Sequence, residues 1–168
     1  MEKQNIMRNI KIEKIVLSCG GVKDELEKSF KLLGKISGKK PARKKSMKRI
    51  PGFGVRPKME VGCMVTLRGE EAKQLLPKLL AAIENNLRGE QISDNHFSFG
   101  IEEYILIPGQ KYDRDIGMIG LKATIVFSRN GKRISKKKMN GSRIPKRQHV
   151  KKEEIIKFME DNFGTNID

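Results

Sequence analysis

Few side chains in this sequence have the types and spacing that chemistry requires. Asp113 and Asp115 are two residues apart in an expected loop, where carboxylates could ligate a metal ion or exchange protons. A catalytic pair would have to combine Asp113 with a distant histidine, His96 or His149. The Gly-Lys runs lack the spacing and the hydroxyl residue of a Walker phosphate loop. We therefore expect no enzyme, no catalytic residue and no cofactor.

The two cysteines, Cys19 and Cys63, do not form a Cys-x-x-Cys pair. Both fall in segments with the alternation of β-strands, which favours two buried, reduced thiols in a reducing compartment. A zinc site would need both cysteines and both histidines to converge from four distant positions. The sequence thus predicts no metal site.

Basic residues are concentrated in two segments of a chain whose formal net charge is +16. Residues 38–58 contain nine Lys and Arg, residues 129–152 contain eleven, and neither segment contains an acid. Elsewhere 16 basic residues face all 20 acidic ones, which leaves the remainder with a net charge of −4. Because ordinary surfaces intersperse the two signs, such segments predict a polyanionic partner, usually nucleic acid. Disordered solubilising tails are the alternative, but tails do not need the apolar residues present in both segments.

The mode of recognition follows from the residue types in these segments. Lys and Arg mainly contact phosphates, which position a protein without specifying sequence. Aromatic residues make up only 5% of the chain and tryptophan is absent, so recognition of folded RNA by shape is favoured over single-strand recognition. Phe53 lies between two glycines and could either present its ring to a base or fold back onto the protein. An RNA-processing or RNA-modifying enzyme with the same basic surface remains the alternative.

Hydrophobic periodicity predicts an α+β fold: a single domain over 1–168, with a largely antiparallel sheet packed with helices. Strands are predicted near residues 10–19, 59–68, 97–101 and 119–127. Helices are predicted from a capping box at Asp24 and Glu27 to Gly38, from Glu70 with a kink or restart at Pro77, and over 155–163. The first basic segment (38–58) becomes a long projecting loop, and the second (129–152) an irregular basic segment near the C-terminus.

No apolar stretch approaches the ~18 residues of a membrane span, and the polar residues 1–8 do not resemble a secretory signal. The predicted helices carry acids on their polar sides, which does not fit a basic membrane-binding face. We therefore expect a soluble intracellular protein without a membrane partner.

Several segments of the chain resemble the universal large-subunit ribosomal protein L5 family, in its archaeal and eukaryotic branch. The resemblance extends over about residues 7 to 163. In chain order, the matching segments are MRNIKIEK (7–14), GKKP (38–41), FGVR (53–56), VTLRG (65–69), FSFGIEE (97–103), KYD (111–113), IGMIGL (116–121), IPKR (144–147) and KEE (152–154).

The resemblance implies a structural constituent of the large ribosomal subunit that takes part in translation. Such a protein binds 5S ribosomal RNA and adjacent large-subunit ribosomal RNA in the central protuberance. A loop reaches towards peptidyl-site tRNA, and neighbouring ribosomal proteins include a small-subunit protein at the intersubunit bridge. We expect no homo-oligomer, and a location in cytoplasmic ribosomes, with nucleolar assembly if the source is eukaryotic.

The resemblance also implies which residues contact RNA. 5S ribosomal RNA would be bound by Arg8, Lys11, Lys39, Lys40 and Arg68. Adjacent ribosomal RNA would be bound by Lys132, Arg133, Lys136, Lys137, Lys138, Arg143, Lys146 and Arg147. The tRNA-facing loop, residues 43–57, would act through Arg43, Lys44, Lys45, Lys48, Arg49, Phe53 and Arg56.

Two departures from the family pattern stand out. The family usually has an asparagine near the end of the first strand, where this chain has Ser18-Cys19-Gly20-Gly21. The Ser or Thr cap expected before the last helix is replaced around Val150 and Lys151, which should weaken that helix start by about 1 kcal/mol.

Overall fold

The computed structural model describes residues 5–167, which form eight strands and three α-helices. The strands are β1 (Ile10–Gly20), β2 (Ala42–Lys45), β3 (Glu60–Leu67), β4 (Asn86–Leu87), β5 (Ile92–Ser93), β6 (His96–Ile101), β7 (Leu121–Arg129) and β8 (Asn166–Ile167). The α-helices are α1 (Asp24–Ser37), α2 (Glu70–Ala81) and α3 (Lys152–Phe163).

Six strands form one sheet in the order β2-β3-β1-β7-β6-β5, and every neighbouring pair in it is antiparallel. The long β1 lies near the centre, with Leu17 opposite Val65 of β3 and Ala123 of β7. β4 and β8 form a separate small parallel pair. The predicted α+β class with a largely antiparallel sheet is confirmed.

The core lies on one face of the sheet. Ile15 and Leu17 of β1 and Ile125 of β7 are completely buried, whereas their neighbours Val16 and Thr124 are only half-buried. Period-two burial of this kind means that the helices cover one face and leave the other more open. Leu32 and Leu76, both fully buried, bring α1 and α2 into the same core.

The start of α1 differs from the capping box predicted at Asp24. Lys23 takes the cap position with φ at 54°, and it provides no side-chain hydrogen bond. Asp24 is the first helical residue, so its carboxylate acts on the positive end of the helix dipole, together with Glu25 and Glu27. The helix ends as predicted at Gly38, whose φ of 64° suits a glycine.

Of the kink or restart predicted at Pro77, the restart is wrong, because α2 continues through this residue to Ala81. Proline cannot donate a hydrogen bond to the preceding turn. The fully buried Leu76 and Leu79 on either side hold the helix against the sheet despite that loss. Packing of the apolar face therefore outweighs the local cost of proline.

The first basic segment is not a loop throughout, and the prediction of a loop over residues 43–57 is wrong for its first part. Ala42–Lys45 form β2, the edge strand paired with β3. Beyond β2 the two chains continue to pair, with Ser46 N–H donating to the Met59 carbonyl at 2.8 Å. Ile50 and Val55 exchange two backbone hydrogen bonds of 3.0 and 3.1 Å near the tip. Residues 46–59 thus form a β-hairpin, called here the hairpin arm.

The second basic segment contains two short 3-10 helices, Lys132–Lys136 and Lys146–Gln148, between β7 and α3. This agrees with the irregular structure predicted for it. Among residues 5–167, no helix combines the length and apolar character needed to cross a bilayer.

Candidate nucleic-acid interface

The hairpin arm and the second basic segment leave the sheet at opposite ends of β1. The hairpin arm begins beyond the end of the sheet at which Gly20 of β1 pairs with Gly62 of β3. The second basic segment begins at the other end, where Ile10 of β1 pairs with Arg129 of β7. The antiparallel register therefore separates the cations of the hairpin arm from those of the second basic segment by the length of the central strand.

The hairpin arm presents exposed cations and an exposed ring. The side chains of Lys48, Arg49 and Arg56 are exposed, and none has an acidic partner within the described residues. Phe53 at the tip is 79% exposed, so the ring does not fold back into the core. Gly54 follows it in the left-handed conformation, with φ at 62°, which turns the chain back towards β3. The arm can therefore offer cations and an aromatic face together.

Arg43 does not belong to the hairpin arm, although it was predicted to face tRNA. It lies on β2, where Nη2 bonds to Glu27 at 2.7 Å and Nη1 to Glu60 at 3.0 Å. Its guanidinium also lies 5.2 Å from the centre of the Phe30 ring. The hydrogen bond to Glu60 and the charge of Glu27 raise the pKa of Arg43 above its ordinary value. This arginine joins β2 to α1 instead of projecting from the surface.

Of the other residues predicted for the tRNA-facing loop, Lys44 and Lys45 are also on β2, both exposed. They lie on the outer edge of the sheet, where β2 has no further strand beside it among residues 5–167. Lysines on an edge strand discourage pairing with another sheet and keep their charge available to a polyanion.

Lys39, Lys40 and Arg68 lie near the same end of the sheet as the second basic segment, on the β3 side of β1. Arg68 directly follows β3, whose Leu67 pairs with Ile15. Lys39 forms an ion pair with Glu71 in the first turn of α2, the helix that follows Arg68 in the chain. Lys40 is exposed and has no acidic partner among residues 5–167.

Arg8 and Lys11 lie beside the second basic segment, away from Lys39 and Lys40. Lys11 of β1 is paired in register with Ser128 of β7. Asn130 donates from Nδ2 to the carbonyl of Ile6 at 3.1 Å, which ties the residues before β1 to the segment. The residues predicted to bind ribosomal RNA are therefore divided between the two sides of β1.

Two glutamates outside the second basic segment, Glu13 and Glu154, hold that segment in place. Arg129 donates from Nη2 to both carboxylate oxygens of Glu154, at 2.5 and 2.6 Å. Lys132 forms an ion pair with Glu13, and Lys136 lies 3.6 Å from the same carboxylate. Sequence analysis missed the roles of both glutamates. Only the Lys151–Glu154 spacing, typical of a helix start, could have indicated one of them.

These contacts lower the pKa values of both carboxyls. Burial alone would raise the pKa of Glu13, but the hydrogen bond from Lys132 and the charges of the nearby lysines outweigh it. Burial likewise opposes ionisation of Glu154, and the hydrogen bonds from Arg129 and the backbone N–H of Lys151 outweigh it. Both groups stay ionised at neutral pH and neutralise part of the segment.

The Glu154 bond to the Lys151 N–H, 3.0 Å long, replaces half of the missing helix cap. A Ser or Thr at the cap position would have accepted a hydrogen bond from the first turn. Lys151 provides no such side-chain acceptor. Of the two hydrogen bonds of a capping box, the start of α3 therefore has only the one that Glu154 accepts.

Most of the positive charge of the two segments remains without an acidic partner. Five of the twenty cations, Lys39, Arg43, Arg129, Lys132 and Lys136, pair with carboxylates. Fifteen others have no carboxylate within salt-bridge distance in the described part of the chain, and all are exposed. The predicted RNA-binding residues in this group from the second segment are Arg133, Lys137, Lys138, Arg143, Lys146 and Arg147.

The residues considered for catalysis are not assembled into a site. Asp113 pairs with Lys35 at 3.2 Å, and this hydrogen bond lowers the pKa of the carboxyl. A lowered pKa makes Asp113 a poor general base near neutral pH. Among residues 5–167, no hydrogen bond joins it to His96 or His149, and no cluster of three metal-ligating side chains occurs.

Cys19 and Cys63 are both buried, as predicted, and lie directly opposite each other on β1 and β3. The hydrogen bond with Cys63, together with burial, raises the pKa of the Cys19 thiol. A buried thiol whose pKa is raised, such as Cys19, is a poor nucleophile and a poor metal ligand.

Comparison with known proteins decides the family. The model of the family described as "Ribosomal protein L5" matches residues 5–56, and the model that describes the C-terminus of the same ribosomal family matches residues 60–158. The chain belongs to the ribosomal protein L5 family. The first match ends within the hairpin arm and the second begins with β3, so the two together cover nearly the whole fold.

Archaeal L5 proteins match this chain along nearly its whole length. The "Large ribosomal subunit protein uL5" of Nanoarchaeum equitans is 39% identical over 96% of this chain and 97% of its own. That of Sulfolobus acidocaldarius is 39% identical over 99% and 95%, and that of Methanosphaera stadtmanae 35% over 98% and 99%. The resemblance to the archaeal branch of the L5 family is confirmed. The chain is a ribosomal, RNA-binding protein of structural type and not an enzyme, which removes the alternative of an RNA-processing activity.

Proposed function

We propose that this L5 protein is a structural constituent of the large ribosomal subunit and binds 5S ribosomal RNA together with adjacent large-subunit ribosomal RNA. One observation carries the proposal: fifteen exposed cations without acidic partners among residues 5–167 are gathered in two segments of a chain whose remainder has a net charge of −4. Such cations repel one another until a polyanion supplies the counter-charge. The names of the archaeal relatives support the choice of the large subunit.

The placement of Lys39, Lys40 and Arg68 on the β3 side of β1, and of the second basic segment on its β7 side, supports simultaneous contact with two stretches of RNA. Arg8 and Lys11 were expected to contact 5S RNA with Lys39 and Lys40, but they lie beside the second basic segment. In this proposal they follow, with that segment, the phosphates of one stretch. Lys39, Lys40 and Arg68 contact 5S RNA on the other side of β1. Because phosphate contacts carry no sequence information, the shape of the fold must select the site.

The hairpin arm is assigned to peptidyl-site tRNA. Phe53 can stack on a base or a sugar, while Lys48, Arg49 and Arg56 contact phosphates. Arg43 is omitted from this assignment because Glu27 and Glu60 hold it against α1.

The remaining partners follow from placement in the central protuberance. They are neighbouring ribosomal proteins, one of them a small-subunit protein across the intersubunit bridge. The protein would therefore be found in ribosomes of the cytoplasm. A nucleolar stage of assembly would apply only in a eukaryotic cell, and the relatives reported above are archaeal.

Charge reversal at Lys40 tests the assignment to 5S RNA. Lys40→Glu removes a cation without disturbing an ion pair, and Lys28→Glu on α1 makes the same change at an exposed lysine outside both segments. A gel-shift titration with 5S RNA should show clear weakening for Lys40→Glu and little change for Lys28→Glu. Equal effects of the two variants would contradict the assignment.

Truncation of Phe53 tests the division of labour between the segments. Phe53→Ala should leave 5S RNA binding nearly unchanged but reduce peptidyl-site tRNA retention on reconstituted subunits. Equal losses in both assays would contradict a separate tRNA-facing arm.

A further inference from the structure

A small cavity lies where the second basic segment passes over the end of β7. Its volume is about 210 Å³. Phe127 of β7 and Ile144 of the segment provide apolar walls, and Asn130, Gln148 and His149 add polar groups. The volume is below the roughly 300–1,000 Å³ of pockets that hold drug-sized ligands. It suits one planar ring system.

The cations that line this cavity already have acidic partners. Arg129 is paired with Glu154, and Lys132 with Glu13. A phosphate in the cavity would have to compete with two carboxylates that are held in place. The unpaired cations of the segment are exposed elsewhere. The charge distribution therefore favours a neutral group inside the cavity and phosphates outside it.

A hydrogen-bond chain fixes the proton on His149. The Oδ1 of Asn95 accepts from the backbone N–H of Val150 at 2.9 Å, which leaves its Nδ2 as the donor side of the amide. That Nδ2 lies 3.3 Å from Nδ1 of His149. Since Nδ1 must then accept, neutral His149 carries its proton on Nε2 and keeps a donor for a ligand.

Some other polar atoms at the cavity have no hydrogen-bond partner among the described residues. Asn130 uses its Nδ2 for the Ile6 carbonyl, so its Oδ1 remains an acceptor. The amide of Gln148 has no protein partner among the described residues and offers both a donor and an acceptor. Nε of Arg129 is buried without a hydrogen-bond partner among residues 5–167. Free donors and acceptors beside apolar walls suit the edge and faces of a nucleobase.

We propose that the cavity bounded by Phe127, Ile144, Gln148 and His149 binds a single unstacked nucleobase of the RNA that the second basic segment contacts. This inference rests on the proposed RNA-binding function and makes it more specific. Bases in loops and bulges can leave the stack and be recognised at their edges. The exposed cations hold the backbone, and the captured base fixes the register of the segment on it.

A titration with small probes distinguishes binding of a nucleobase from binding of a phosphate. Each of AMP, GMP, CMP and UMP, and as controls ribose 5-phosphate and inorganic phosphate, is added to the labelled full chain and followed by NMR. At least one mononucleotide should cause saturable shifts at Asn130, Gln148 and His149, with a Kd on the order of 1 mM. The phosphate controls should not. The same shifts with inorganic phosphate would identify an anion site and overturn the proposal, as would the absence of shifts with all four nucleotides.

Two isoleucines of the segment provide a matched pair of variants. Ile144→Phe fills the cavity, whereas Ile134→Phe makes the same change at a 49% exposed position outside it. Ile144→Phe should weaken mononucleotide binding about tenfold or more, and Ile134→Phe less than about twofold. Gln148→Ala, at an exposed side chain, should also weaken binding and serves if Ile144→Phe does not fold. Equal affinities for all variants would refute the cavity as the site.

The outcomes distinguish this inference from the function on which it rests. Loss of ribosomal RNA binding by the unmodified chain would contradict the proposed function itself. Strong, salt-sensitive RNA binding without any mononucleotide binding would contradict the nucleobase site alone.

Discussion

Arg129 illustrates how single residues hold a basic segment before RNA is bound. Its side chain is 13% exposed and depends on Glu154 for its counter-charge. Leaving a largely buried guanidinium without a partner costs more than the pair contributes, because the remaining charge is desolvated and unpaired. The same logic applies to Glu13, whose carboxylate is 16% exposed and faces two lysines. Two acids outside the acid-free second basic segment therefore supply the counter-charge for three of its cations.

Removal of Glu154 should destabilise the protein. Glu154→Ala leaves Arg129 unpaired and removes the acceptor for the Lys151 N–H, so we expect a loss of about 1–3 kcal/mol, reduced by the partial exposure of the carboxylate. Glu153→Ala, an exposed neighbour in the same helical turn without an ion pair among the described residues, is the control and should change stability by less than about 0.5 kcal/mol. Urea unfolding at neutral pH measures both. Equal losses would show that the ion pair is not responsible.

The lowered pKa values of Glu13 and Glu154 predict a loss of stability in acid. Their folded-state pKa values lie below the ordinary value of 4.5, so near that pH the unfolded chain binds more protons than the folded one. The stabilisation is present above pH 4.5 and is lost as the pH falls through the lowered values. The stability difference between the unmodified chain and Glu13→Gln should therefore shrink between pH 7 and about pH 3. A difference that is constant with pH would exclude the ionised carboxylate as its source.

At the scale of elements, sequence periodicity predicted the strands that pack on the core. It missed the strand that forms only by hydrogen bonding to a neighbouring strand. The alternation of apolar and polar residues predicted the bounds of β1, β3, β6 and β7 to within a few residues, because one face of each strand lies on the core. β2 escaped prediction, since Ala42–Lys45 are all exposed and the strand forms only because β3 offers a free edge. No alternating pattern marks such a strand.

The sequence predicted which segments form the candidate site, but not which side chains contact each other within it. Charge counting found both basic segments, and their exposed cations agree with it. The partners of Arg43, Arg129 and Lys132 come from positions distant in the chain, so spacing could not indicate them. The cavity at Ile144 and His149 likewise depends on three separate stretches of chain.

Glu13 should control how firmly the second basic segment lies on the sheet. Glu13→Gln removes the shared partner of Lys132 and Lys136, so the segment should open more often without global unfolding. Trypsin under native conditions should then cleave within residues 132–147 several-fold faster. Glu60→Gln, which loosens the Arg43 network at the other basic segment, is the control and should leave cleavage within residues 132–147 unchanged. Unaltered cleavage in Glu13→Gln would mean that other contacts anchor the segment.

For the whole molecule, the charge asymmetry predicts that RNA affinity depends steeply on salt. With some 6–10 phosphates neutralised, affinity for ribosomal RNA should fall roughly 10³–10⁵-fold between 50 and 200 mM salt. A high net charge alone would make RNA affinity fall with salt wherever the cations were placed. The test therefore compares two variants that have the same net charge but lose cations at different positions. Lys48→Gln, Arg49→Gln and Arg56→Gln together remove three unpaired cations from the hairpin arm. Lys28→Gln, Lys78→Gln and Lys157→Gln remove three exposed cations from the three helices.

If the segments form the interface, the arm variant should lower the slope of log affinity against log salt by up to about 3 on RNA that includes the tRNA contact. The helix variant should leave the slope nearly unchanged, because its lysines lie on the acidic body and neutralise no phosphate. Filter binding across a salt series on reconstituted subunits measures both slopes. Equal reductions would mean that RNA responds to total charge and not to its position. The separation of the hairpin arm from the second basic segment along β1 would then have no role in binding.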